Sequence, residues 1–137
     1  MKKTIDNALQ RFKEALAAET ETEDIIMEKR AVEIFDLWVR EKGYCRAELT
    51  MQQVADSLNI SHSDLSWVCG RVYGTSFLNL RKRLRLKDAA RMLVEQKNVP
   101  VAVIAARVGI PDRTNFKRQF FSEYGMNPQD WRDTHRR

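Results

Sequence analysis

The apolar residues of this chain recur every three or four positions almost throughout, the period of an α-helix rather than a strand. Segment 5–18 places Ile5, Leu9, Phe12 and Leu16 on one helical face. The run Thr20-Glu21-Thr22-Glu23-Asp24 then predicts an acidic break and a new helix start, because carboxylates favour the positive end of a helix dipole. The helix it opens is expected over about 24–42, burying Ile25, Val32, Phe35 and Val39 and stopped by Gly43. From Thr50, a good N-cap, a short helix from Met51 to Leu58 turns Val54, Ala55 and Leu58 inward. Asn59 suits a left-handed turn. Ser61 caps the next helix, where Leu65, Val68, Cys69 and Val72 recur at i, i+3, i+4 and i+7 before Gly74 ends it. A helix, a tight turn and a second helix make one helix-turn-helix unit.

The same device returns about fifty residues later. Pro100 suits a helix start, where its missing N–H costs nothing. Val103, Ile104 and Val108 are expected inward, Gly109 makes the left-handed turn, and the next helix runs from about Asp112 to Tyr124. Ala55 and Asn59 are four apart, as are Ala105 and Gly109. Phe121 and Trp131 are expected in the core that holds the last helix. Between the two units a helix over about 76–96 carries Leu80, Leu84, Met92 and Leu93. At 1.5 Å per residue it covers roughly 30 Å, close to the 34 Å or so of one turn of B-DNA. The reading is all-α: two helix-turn-helix subdomains joined by a long linker helix, with an extra N-terminal helix. Residues 1–23 form that helix and an acidic linker, and 24–137 the tandem domain, divided at 24–74, 75–97 and 98–137.

Charge sharpens this picture. The net charge is +5, but residues 1–49 hold 9 basic and 11 acidic residues, a net −2, and residues 50–137 hold 15 and 8, a net +7. A basic C-terminal two-thirds suits a polyanion, since each phosphate it neutralises releases counterions. A hydrophobic fraction of 43% beside a charged fraction of 31% fits a folded soluble chain. No run of about 18 apolar residues offers a membrane span, and Lys2 and Lys3 lead into a polar stretch rather than a secretory leader. Cys45 and Cys69 have no metal-ligand spacing and read as reduced thiols in a cytoplasmic protein. Catalysis lacks parts: there is no phosphate-cradling glycine loop, and His62 and His135 are the only histidines. No enzyme activity, cofactor or metal is expected.

Several stretches together resemble the C-terminal DNA-binding domain of the AraC/XylS family of bacterial transcription regulators. They are Leu49-Thr50 through Val54-Ala55, Ile60-Ser61 through Leu65, Arg85-Leu86 with Ala89, Val103-Ile104-Ala105, Val108-Gly109, Phe116, Phe120, and Gly125-Met126-Asn127-Pro128 before Trp131-Arg132. The resemblance covers roughly 30–134. It implies two helix-turn-helix subdomains on a linker helix and a role in activating or repressing promoters. Three positions depart from the family pattern: Ile110 and Cys69 stand where phenylalanine is usual, and Gly70 follows Cys69 inside a helix, at a cost of about 1 kcal/mol relative to alanine.

The second reading helix leaves Arg113, Thr114, Lys117 and Arg118 outward, and arginine can hold guanine O6 and N7 with two hydrogen bonds. On the first, Ser63, Ser66 and Trp67 face outward at positions the resemblance assigns to base reading, with Trp67 suited to a thymine methyl or to packing on a neighbouring helix. Phosphate contacts are expected from Thr50 and Ser61 at helix starts, from Arg71, and from Arg81 and Lys82 on the linker. Arg85 is expected to pair with Asp88 or pack internally. The expected partners are double-stranded DNA and RNA polymerase. A homodimer through the N-terminal stripe is a further expectation, as is a larger sensor-regulator of which this chain is the output part. A protein-interaction adaptor on the same fold is the alternative.

Overall fold

Among the described residues, seven α-helices and one 3-10 turn form the regular structure, and there is no strand. The computed structural model describes residues 2–136, and side chains across that span except at 2–6 and 18–21. In chain order the helices are α1 (Lys2–Arg40), α2 (Met51–Leu58), α3 (His62–Tyr73), α4 (Phe77–Glu95), α5 (Val101–Arg107), α6 (Arg113–Tyr124) and α7 (Pro128–Thr134), with the 3-10 turn at Gly43–Cys45. The fold class is the one the sequence predicts.

Side-chain caps set most helix starts. Thr50 accepts from the Gln53 N–H at 3.1 Å while the Gln53 side chain accepts from the Thr50 N–H at 2.9 Å, a complete capping box. Ser61, Ser76, Asp112 and Asn127 each accept from the backbone N–H three residues on. The turns inside the two units are left-handed at Asn59 (φ 55°) and Gly109 (φ 93°).

Two hydrophobic cores share α4 as a wall. Phe35 and Trp38 of α1, Val54 of α2, and Leu65 and Val68 of α3 pack with Phe77 and Leu80 at the start of α4. Leu86, Ala89 and Leu93 further along α4 pack with Ile104, Val108, Phe116 and Phe120. Each large side chain buried contributes about 1.5–3 kcal/mol, so α4 is held along its length by both subdomains.

Two buried arginines tie loops to that wall. Arg132 of α7 donates to the carbonyls of Leu93 (2.9 Å), Gln96 (3.3 Å) and Val99 (2.6 Å), where the C-terminal end of α4 leaves acceptors without intrahelical partners. Arg85 donates to the carbonyls of Tyr44 (2.5 Å) and Arg46 (2.8 Å), so it packs internally rather than pairing with Asp88. Burial, aided by the Arg81 charge, pulls the Arg85 guanidinium down to about 10, which leaves it charged at neutral pH. Asp88 instead accepts from the Tyr44 hydroxyl at 2.6 Å and lies 3.6 Å from the Lys42 ammonium.

Several expectations are corrected. The acidic run 20–24 does not break the chain, because α1 is one helix of 39 residues. Alanine and glutamate surround the run and no glycine or proline interrupts it, so backbone propensity carries the helix through. Ile25, expected inside, is 49% exposed, because close packing of α1 begins only at Ala31. Val72, Val103 and Phe121 are exposed as well, since the apolar face of each helix is narrower than its run of apolar residues. Gly43 does not stop α1, which ends at Arg40 with Lys42 left-handed. A Cβ at Gly43 would lie 2.2 Å from the Trp38 indole nitrogen, so this glycine makes room for a ring. Ile5 of the N-terminal stripe falls outside the described side chains.

Candidate nucleic-acid interface

Each turn feeds a helix that is apolar behind and polar in front. On α6, Phe116 and Phe120 are buried while Arg113, Thr114, Lys117 and Arg118 are exposed, so the four expected residues share one outward face. The Arg118 Nη2 donates to the Asn115 side-chain oxygen at 2.8 Å, and the same oxygen accepts from the Gln119 amide at 3.0 Å. Asn115 therefore aims Arg118, a role that outward spacing alone does not reveal, although an i, i+3 pairing of Asn with Arg is a usable signal. Arg113 and Lys117 border an open groove of about 480 Å³ between the starts of α5 and α7, with Val101, Ala102 and Gln129 on its other walls.

On α3, Leu65, Val68 and Cys69 are buried, and Ser63, Ser66 and Trp67 are exposed. Trp67 is 39% exposed and borders a shallow groove that Ile25 and Val32 of α1 line on its other side. The buried Cys69 fills the position where phenylalanine is usual, and a Cβ at Gly70 would meet nothing within 4 Å. Packing therefore gives no reason for a glycine at position 70.

The expected phosphate contacts separate into two groups. Thr50, Ser61 and Arg71 are exposed, Thr50 and Ser61 with their hydroxyls already engaged as caps. Lys82 is half-buried on α4. Arg81 is turned inward: it donates to the Leu49 carbonyl and its guanidinium lies 5.4 Å from the Phe77 ring centre. Burial pulls its pKa below the usual arginine value. The carbonyl preceding the Thr50 cap needs a donor, and Arg81 supplies it. Arg81, Arg85 and Arg132 are thus engaged inside the protein, while Arg113, Lys117 and Arg118 on α6 remain exposed to an anionic partner. His62 is exposed at the start of α3.

Among the described residues no group of His, Cys, Asp or Glu could hold a metal ion, and no helix is long and apolar enough to cross a membrane.

The helix-turn-helix domain family matches residues 54–134, more than half of the chain. Among solved structures, the C-terminal domain of AraT, a response regulator from Geobacillus stearothermophilus, is 28% identical, with a TM-score of 0.67 over 80% of this chain and 86% of that one. The C-terminal domain of the two-component response regulator yesN from Fusobacterium nucleatum is 23% identical, with a TM-score of 0.65 over 73% of this chain and 95% of that one. A DNA-binding transcriptional dual regulator from Escherichia coli K-12 is 22% identical, with a TM-score of 0.61 over 80% and 91%. The last two show a common fold. No curated protein matches the chain significantly.

Proposed function

The chain belongs to the AraC-type helix-turn-helix family of DNA-binding transcription regulators, and on that footing we propose that it reads specific DNA by placing α3 and α6 in successive major grooves on one face of the duplex. The observation that carries this reading is the length of α4. Its 19 residues span about 28 Å, near the 34 Å or so of one duplex turn, between two helices with polar outward faces. Arg113 and Arg118 hold guanine edges, with Thr114 and Lys117 beside them. Ser63, Ser66 and the exposed part of Trp67 read the other groove. Thr50, Ser61, Arg71 and Lys82 meet the sugar-phosphate backbone, where position rather than sequence is set. The test is selection of bound duplexes from a randomised pool, followed by Arg118→Ala on the selected site. We expect a two-part site and a loss of about tenfold or more that falls on specific rather than non-specific binding. Equal losses on both would assign Arg118 to the phosphates and remove the reading role.

A second reading is favoured by α1. Every described side chain from 7 to 30 is exposed, and Leu9, Phe12 and Leu16 are 51%, 61% and 49% exposed at coiled-coil spacing. We infer a helix-to-helix contact there, with a second copy or with a sensor module of a larger regulator. The response-regulator C-terminal domains among the similar structures support an output role. Sedimentation of residues 1–137 against 24–137 tests it, and concentration-dependent association is expected of the longer chain alone.

A further inference from the structure

The two helix-turn-helix units use the same turn with different residues. Asn59 turns the first unit at φ 55° and is exposed, whereas Gly109 turns the second at φ 93° and is buried. Asn59 shows that a residue with a Cβ can turn the first unit, but at φ 93° Gly109 lies beyond the usual left-handed range of asparagine, so the backbone itself favours glycine there. The close surroundings of Gly109 demand it as well. A Cβ there would stand 2.6 Å from the Cys45 carbonyl oxygen, 3.0 Å from the Cys45 carbonyl carbon and 3.1 Å from the Arg85 Nε. The first two are backbone atoms and cannot swing aside.

Those backbone atoms belong to the other subdomain and are themselves fixed. Arg85, near the middle of α4, donates to the carbonyls of Tyr44 and Arg46, the residues on either side of Cys45. The Tyr44 hydroxyl adds a third tie, to Asp88 one turn further along α4. The turn that launches α6 therefore rests directly on a loop of the first subdomain, with α4 holding both.

We propose that Gly109 is a positioning residue for DNA recognition. By letting the second turn seat on the 43–46 loop, it fixes the angle between α3 and α6, and so the half-site spacing that the protein accepts. Packing of α4 into both cores sets the distance between the subdomains, and the seated turn adds a direct contact that resists tilting of one against the other. This inference rests on the two-groove reading for its consequence on DNA, but not for the contact itself.

The test replaces Gly109 by Asn, whose Cβ the Cys45 carbonyl excludes, beside Asn59→Gly, which leaves the contact intact. Spin labels at Val72 of α3 and Ser122 of α6, both exposed, with the native thiols replaced by alanine, report the distance between the reading helices without DNA. We expect one narrow distance in the parent and in Asn59→Gly, and a broadened or shifted one in Gly109→Asn. On duplexes selected by the parent protein, and on versions lengthened by one base pair between half-sites, the parent should lose about tenfold on lengthening. Gly109→Asn should bind the original more weakly and distinguish the two by less than about threefold. Should Gly109→Asn fail to fold, Gly109→Ala, which adds only the Cβ that the Cys45 carbonyl excludes, carries the distance test and should broaden it. A parent-like distance and parent-like spacing preference in the variant would overturn the proposal. A parent that ignores spacing would instead sink the two-groove reading, while the distance still decides the role of Gly109.

Discussion

Replacing Arg132 by methionine should destabilise the second subdomain far more than removing any exposed cation. Arg132 is 6% exposed and donates to three carbonyls, two of them at good hydrogen-bonding distance. Methionine keeps much of the volume but takes the donor away from the Leu93 and Val99 carbonyls, while the Gln96 carbonyl keeps the Val99 N–H. Hydrogen bonds from a charged donor are worth about 1.5–3 kcal/mol each, and relief from burying the guanidinium offsets part of the loss, so a net cost of about 3–4 kcal/mol follows. That is a large fraction of the roughly 5–15 kcal/mol that holds a domain folded. With a urea dependence of about 2 kcal/mol per molar, the midpoint should fall by about 1.5–2 M. Tryptophan fluorescence is a direct assay, since Trp131 adjoins the mutated position and donates to the Ala90 carbonyl on the same wall. Arg113→Ala, on an exposed face, should leave the midpoint in place. A midpoint shift below about 0.5 M for Arg132→Met would refute the view that this arginine completes the end of α4.

Four further outcomes follow from the same geometry. Asn115→Ala should weaken specific binding by about three- to tenfold through loss of the aim of Arg118, with little effect on non-specific binding, measured by titration against selected and scrambled duplexes. The logarithm of affinity should fall with the logarithm of salt at a slope of about −3 to −5, from a handful of phosphate contacts, and a slope shallower than about −1 would contradict the electrostatic part. Burial raises the Cys69 thiol to about 11, so at pH 8 only about one part in a thousand is thiolate, and Cys69 should react with a disulfide reagent only after unfolding. Because the folded chain holds the Cys69 proton more tightly than the ordinary value of 9.0 allows, stability should decline as pH rises from about 9 towards 11, read from thermal melts across that range.

What the sequence disclosed, and what it hid, divides along a physical line. The caps at Thr50 and Ser61, the turns at Asn59 and Gly109, and the apolar spacing of Phe116 and Phe120 are local signals, and each emerges in the structure where local chemistry puts it. The outward face of α6 follows from the same spacing. Arg81 and Arg132 could not be separated from DNA-facing cations in this way, because the carbonyls that claim them lie 32 to 39 residues away in sequence. Gly43 and Gly109 carry a second meaning for the same reason: the atoms that leave no room for a Cβ come from an indole and from a distant loop. The continuity of α1 through residues 20–24 shows helix propensity overriding a capping signal that would have ended it. Positive charge counted along residues 50–137 overstates what an anionic partner meets, since three of the arginines are engaged inside.

The most direct test is a binding titration on a selected two-part site into which five, and then ten, base pairs are inserted between the halves. A rod of about 28 Å with a seated second turn reaches neither the opposite face of the duplex nor a groove two turns away. Both insertions should therefore drop affinity to the level of a single half-site. Affinity that survives five inserted pairs, or that returns at ten, would show two independently tethered readers in place of one rigid pair.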